Sequence, residues 1–202
     1  MEPSIRVLFF TILITCSFLG YGLITANYIN KDILEVNIGY IGLIGLLTCT
    51  IISYATIYFF KHGFIHNIIL HIIGLGAFYY FFSKKKINFN ISFSFLIFLI
   101  LFIGLLIIRN HDDFDYYHLS YSLGLTENKL ILGLGNLGNR YNKHSSIFFL
   151  NSIIYLPIIK HYLFHSTGWI TLFFVNLILL EQILKNSKTK LDIEFYLSLF
   201  IF

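Results

Sequence analysis

The stretch RNHDDFDYYHLSYS, residues 109–122, carries three carboxylates between His111 and His118, directly after a long apolar run. Asp112, Asp113 and Asp115 are the candidate catalytic residues, because a carboxylate kept where a helix leaves hydrocarbon costs several kcal/mol to desolvate unless a cation or donor compensates it. In a helix, Asp115 and His118 would be i, i+3 neighbours able to ligate a divalent cation or to poise a general base. The alternative is a solvated loop whose charges mark the membrane boundary.

Basic residues follow in the same segment. Arg140, Lys143 and His144 precede a pair of serines at 145 and 146 that can cap the next helix. Cationic side chains beside helix N-terminal amides are suited to phosphate, so these three residues are candidate substrate-binding residues. They are equally suited to pair with the aspartates across the loop, and the two roles are compatible. The metal ligands of the site, if it holds a cation, are unknown from the sequence.

The word GLGNLG places Gly133, Gly135 and Gly138 in a G-x-G-x-x-G frame. A dinucleotide site needs an acidic residue about 20 positions later within a βαβ unit, and here no acid appears before Glu181. The glycines therefore predict a tight loop with positive φ.

The composition places these residues in a membrane protein. Of 202 residues, 57% are hydrophobic and 12% charged, with mean hydropathy +0.78. Four runs free of Asp, Glu, Lys and Arg each reach the ~20 residues that cross ~30 Å of hydrocarbon: 7–30, 36–60, 62–83 and 87–108. The net charge of +4 is scattered over the ends of these runs, which favours membrane lipid headgroups as partners and excludes nucleic acid.

We expect three regions in an all-α, polytopic transmembrane fold of about five to six membrane helices. Residues 1–108 form a four-helix transmembrane region, 109–147 one long extracytoplasmic acidic loop, and 148–202 a kinked or interfacial helix followed by a further transmembrane helix. Pro157 and Lys160 predict the kink. Residues 168–184 predict the last span, with Ser166 or Thr167 as its cap. The chain ends inside an apolar run, which suggests a fragment of a longer protein.

Loop lysines set the orientation. If SKKK at 83–86 faces the cytoplasm, hairpin alternation puts 30–35 on the same side and 109–147 on the other. Residues 185–190 then return to the cytoplasmic side, provided that 145–164 does not cross.

Polar and small residues inside the runs predict helix contacts. Asn67 and His71 lie i, i+4 in the third run, and Gly39, Gly42 and Gly45 recur every three residues in the second. Hydrogen bonds between helices and close backbone approach are their expected roles, more so than a transport pathway. The cysteines, at 16 and 49, lie in separate runs and predict no disulfide.

The words DDFDYYHLS and RYNKHSSIFFLNSIIYLP resemble a group of bacterial polytopic membrane proteins related to the GT-C glycosyltransferases. In that group an acidic residue a few places before a YHLP word opens the first large extracytoplasmic loop. The resemblance covers mainly residues 109–157. It implies a GT-C-like fold, a donor sugar carried on polyprenyl phosphate, and Asp112, Asp113 or Asp115 as the catalytic or cation-binding carboxylate. It also implies that His118, Arg140 and His144 stabilise the departing phosphate.

The resulting hypothesis is an integral-membrane glycosyltransferase-like protein of the bacterial inner membrane that acts in envelope glycan assembly. A divalent cation is the one cofactor that the carboxylates suggest. The alternatives are a transporter or flippase of lipid-linked glycans, and a non-catalytic membrane subunit.

Overall fold

The computed structural model describes residues 3–29, 37–84, 91–107, 114–133, 136, 145–156 and 158–186. Within these residues the fold consists of seven α-helices: α1 (Pro3–Ile29), α2 (Ile38–Thr56), α3 (Phe64–Lys84), α4 (Ile91–Ile107), α5 (Leu119–Glu127), α6 (Ser146–Ile154) and α7 (Ser166–Asn186). A π-helical turn (Phe114–His118) precedes α5, and a 3-10 turn (His161–Leu163) precedes α7. Extended pairing in these ranges is limited to one bridge between Leu156 and Lys160. The predicted all-α fold is confirmed for this part of the chain.

In the described part of the chain, four helical segments are long and apolar enough to cross a membrane: Ser4–Ile29, Ile38–Thr56, Phe64–Lys84 and His161–Leu184. The first three match the first three predicted runs, and the fourth matches the predicted last span. The fourth run differs from expectation. Its helix, α4, has 17 residues in the described ranges, about 26 Å at 1.5 Å per residue, which is short of a full ~30 Å crossing.

Exposed aromatic side chains gather at both ends of α3. The turn before α3 holds three aromatic residues that are more than half exposed, Tyr58, Phe59 and Phe60. The last turns of α3 hold two more that are over half exposed, Tyr79 and Tyr80. The ammonium group of Lys84 lies 4.7 Å from the centre of the Tyr80 ring. Aromatic rings with a polar or cationic neighbour favour the boundary between lipid and water. The two sets are separated by most of the length of α3, as the two faces of a bilayer require.

The glycines of α2 allow its neighbours to approach closely, as the sequence predicts. A Cβ atom on Gly45 would overlap the carbonyl oxygen of Phe18 in α1, and one on Gly42 would overlap the ring of Phe174 in α7. Helices in lipid gain their mutual attraction from such contacts between backbones, since lipid supplies no hydrophobic drive for association. The glycine spacing thus joins α1, α2 and α7 into one core.

The described residues of 145–164, which exclude residue 157, enter the bundle and return without crossing it. Ile153 O, near the end of α6, lies 3.0 Å from the Nε2 atom of His71, two turns inside α3. The backbone of Tyr155, directly after α6, is extended. The start of α7 then lies beside α6, because the hydroxyl of Thr167 donates to the side-chain oxygen of Asn151. The helix therefore breaks just before Pro157, where a proline disfavours helical backbone in the preceding residue.

Side chains of α3 hold the end of α6. The Nδ2 group of Asn67 lies 2.9 Å from Ser152 O and 2.8 Å from Tyr155 O, and His71 donates through Nε2 to Ile153 O. The last carbonyls of a helix lack partners within the helix and are costly to leave unpaired in lipid. The predicted role of Asn67 and His71 as links between helices is confirmed.

The direction of α7 follows from its contacts with the start of α2. The side-chain amide of Asn37 donates to Leu177 O at 3.1 Å, so the second half of α7 lies beside the first turn of α2. The beginning of α7 therefore points toward the other end of the bundle, where the turn 57–63 joins α2 to α3. We call this end the α2–α3 end. It also holds α5 and the outer end of α6.

Candidate functional site

The π-helical turn Phe114–His118 and α5 form the described part of the acidic segment. Asp115 is exposed on this turn, and His118 is half-buried. Part of the predicted loop is thus helical. The other candidates lie outside the described residues: Asp112, Asp113, Arg140, Lys143 and His144.

Backbone hydrogen bonds fix α5 to the turn between α2 and α3. The amide of His62 donates to Leu125 O at 2.9 Å, and the amide of Leu130 donates to Ile57 O at 3.0 Å. None of these four residues lies in a spanning helix. The described part of the acidic segment is consequently anchored at the α2–α3 end by the turn 57–63.

An aromatic cluster holds the face of the acidic segment that points to α6. The rings of Tyr117 and His118 both meet Phe148 edge to face at 5.1 Å, and Tyr121 lies 5.0 Å from the same ring. Edge-to-face pairs contribute about 0.5–1.5 kcal/mol each beyond area burial. These contacts orient His118, while Asp115 remains at the surface.

The other side of the turn is held by the segment before α7. Phe114 is buried and stacks on the imidazole of His165 with 4.6 Å between ring centres. His161 lies one helical turn earlier in the same segment. Sequence reasoning missed these two histidines. The signal was present in KHYLFH, where two histidines four residues apart precede a predicted span.

The joint role of Asp115 and His118 on a cation or a proton stays a prediction. No hydrogen bond or ion pair joins them, and the described residues contain no group of three or more His, Cys, Asp or Glu side chains placed to hold a metal ion. The π-helical turn explains this, because it has more residues per turn than an α-helix and so separates positions i and i+3. A cation site made by Asp115 would need residues outside the described ranges.

The tyrosines beside the site remain protonated. Burial raises the pKa of Tyr121 to about 12, helped by the neighbouring Tyr117 and Tyr54, and burial also raises the pKa of Tyr117. A phenol with a raised pKa donates hydrogen bonds and does not act as a base near neutral pH. Of the described polar groups on this turn, Asp115 and His118 remain the candidates for proton transfer.

A buried polar network around His62 supports the segment, and no sequence pattern predicts it. His62 is fully buried, with Nδ1 2.6 Å from Ser152 Oγ and Nε2 3.0 Å from Thr56 Oγ1, and its ring stacks on His66. Burial, with a smaller contribution from His66, lowers the pKa of His62 to about 3. The neutral ring therefore joins α2 to α6 directly beneath α5.

The glycine word behaves as a loop where it is described. Gly133 has φ of +82°, and the amide of Asn136 donates to its carbonyl oxygen. The tight turn predicted at Gly133 is confirmed. Gly135 and Gly138 lie outside the described residues.

Comparison with protein-family models, with curated proteins and with solved structures finds no match for this chain. Its class follows from the helices themselves: it is a helical membrane protein with several apolar segments of spanning length. The site adds a carboxylate and an imidazole displayed at one end of that bundle.

Proposed function

We propose that the protein is a glycosyltransferase-like protein of the bacterial inner membrane that takes its sugar from a polyprenyl-phosphate donor during envelope glycan assembly. The observation that carries the proposal is the exposure of Asp115 on a turn anchored on both sides at one end of the spanning bundle. A carboxylate at the end of a spanning bundle lies near the membrane surface. There it can contact the phosphate of a donor whose prenyl chain stays in the lipid.

In this proposal α4 completes a fifth crossing, and the segment 109–147 faces away from the cytoplasm. The exposed aromatic rings and lysines at the two ends of the bundle are compatible with either orientation. The density of lysines at 83–86 favours the cytoplasm for the end opposite Asp115.

The chemistry assigns one step to each group. A carboxylate among Asp112, Asp113 and Asp115 removes the proton of the acceptor hydroxyl, directly or through a divalent cation. The acceptor oxygen bonds to the anomeric carbon of the sugar, and the bond from that carbon to the phosphate oxygen breaks. Polyprenyl phosphate leaves with the bonding electrons. Negative charge therefore grows on the phosphate in the transition state, where a nearby cation stabilises it.

His118 is one of the groups proposed to supply that stabilisation. Arg140, Lys143 and His144 are the others. His118 is the member of this set whose orientation the structure describes, between Tyr117 and Phe148. Its imidazole can donate a hydrogen bond to a phosphate oxygen in either protonation state.

The test replaces Asp112, Asp113 and Asp115 one at a time by Asn in the full-length protein, in a strain whose own copy is deleted. Glu127→Gln is the matched control, because Glu127 is an exposed acid at the other end of the same helical segment. Glycans are profiled by mass spectrometry, and protein abundance is measured by immunoblot. We expect at least one Asp variant to lose the glycan that the deletion strain lacks, at normal abundance.

Three outcomes would contradict the proposal. Unchanged glycans in all three variants would exclude a catalytic carboxylate. Loss of protein together with the glycan in every variant would indicate a non-catalytic subunit. Accumulation of the complete lipid-linked glycan on the cytoplasmic face would indicate a flippase.

A further inference from the structure

An apolar cavity of about 300 Å³ opens between α1, α3, α4 and α7. Its lining includes the buried side chains of Leu19, Phe98 and Phe173 and the exposed ones of Ile12, Phe82 and Phe95. The hydroxyl of Thr15, which also lines it, donates to Thr11 O within α1. The lining therefore offers carbon surface to whatever enters.

Among the described helices, α4 packs closely on one neighbour, α7, and the cavity lies on another side of α4. Phe98 and Phe102 of α4 meet Trp169 edge to face, and Phe98 also meets Phe173 in the same way. The side of α4 that faces α1 and α3 carries Ser94 and Phe95, and the cavity lies there. The packing of the bundle is thus incomplete at this position.

Water does not fill such a space, because a water molecule needs polar partners that this lining does not offer. An empty space of this size would forfeit dispersion contacts along all of its walls. Hydrocarbon is the remaining occupant, and bilayer hydrocarbon surrounds the helices that form the cavity. At ~30 Å³ per small group, the volume accommodates roughly ten methylene groups, a large part of one acyl chain.

We propose that this cavity binds one acyl chain of a bilayer phospholipid, which completes the packing between α4 and the pair α1 and α3. The inference is independent of the proposed glycosyl transfer. The position of the cavity distinguishes its occupant from the prenyl chain of a sugar donor. Phe78 and Phe82 lie in the last turns of α3 and Ile38 begins α2, so the cavity lies toward the end opposite Asp115.

A phospholipid from that side of the membrane has its headgroup at the level of Lys84. This lysine is exposed in the last turn of α3. Its long side chain can reach the phosphate while the acyl chain descends past Phe82 into the cavity.

Trp169 provides the readout, since it is the single tryptophan of the chain. It is buried, and its ring packs directly on Phe98 and Phe173, two walls of the cavity. Bromine atoms on an acyl chain quench indole fluorescence only at short range. The complete chain is reconstituted into bilayers of phosphatidylcholine with brominated acyl chains, and quenching is compared with that in unbrominated bilayers.

Ser94→Phe fills the cavity from α4, and Leu96→Phe is its matched control on the exposed face of the same helix. We expect strong quenching of the wild type and of Leu96→Phe, and loss of most of that quenching in Ser94→Phe. Equal quenching in all three proteins overturns the proposal, because the bromine would then act from the surrounding lipid.

A second variant covers the case in which Ser94→Phe fails to fold. Cys16→Leu fills the same cavity from α1 with a smaller change in volume. Its quenching should also fall relative to the wild type. Wild-type quenching in Cys16→Leu, with an unchanged emission spectrum in unbrominated lipid, refutes a bound chain at this position.

Discussion

Asn67→Leu should destabilise the protein by removing the amide that holds the end of α6. The Nδ2 group of Asn67 lies 2.9 Å from His62 O, 2.9 Å from Ser152 O and 2.8 Å from Tyr155 O. Two amide protons can serve two of these three oxygens at a time. Hydrogen bonds between membrane helices contribute about 0.6–1.7 kcal/mol each, so the expected loss is about 1–3 kcal/mol. Leucine branches at Cγ as asparagine does, but its two methyl groups are larger than the amide oxygen and nitrogen, so the fully buried site adds a packing cost to this loss.

The assay is unfolding of the purified chain in mixed micelles by increasing the fraction of denaturing detergent, followed through the fluorescence of Trp169. Asn176→Leu is the matched control, since the Asn176 amide donates to Leu172 O of its own helix. We expect a clear decrease in the free energy of unfolding for Asn67→Leu and a much smaller one for Asn176→Leu. Equal stability of the two variants would refute the view that α3 side chains cap α6.

Two further predictions concern packing and pH. Gly45→Leu should abolish correct assembly because its Cβ would overlap Phe18 O, whereas Gly104→Leu, with nothing within 4 Å, should elute in size-exclusion chromatography as the wild type does. For His62, burial lowers the pKa from 6.5 to about 3, so between these values the unfolded chain binds a proton that the folded protein does not. The contribution of His62 to the free energy of unfolding should be fully present above pH ~6.5 and should fall as the pH is lowered toward 3. The measurement is the midpoint of detergent unfolding as a function of pH. The same pH dependence in His62→Gln would contradict this assignment.

The spanning helices could be predicted from the sequence because their signal is local. A run of about 20 residues without charge has few ways to satisfy its backbone in lipid other than a helix. The role of Gly45 and the roles of Asn67 and His71 could also be predicted, since small and polar residues inside such a run have few uses besides contact with another helix.

The site was only partly predictable. Asp115 and His118 were found by residue type, but their spacing was interpreted with α-helical geometry, and the turn is π-helical. His165 and His62 were missed because their partners, Phe114 and Ser152, are distant in sequence. The other proposed site residues lie outside the described part of the chain and remain predictions.

The sequence by itself determined that this is a helical membrane protein and where most of its long helices lie, because hydrophobicity and chain geometry act within each segment. Tertiary structure alone decided that α6 turns back beside His71, that the acidic turn is held between Phe148 and His165, and that α4 leaves a cavity. Those features depend on which helices contact one another. The contacts are set by the shapes and hydrogen-bonding groups of residues that lie far apart in the chain, so no local sequence pattern predicts them.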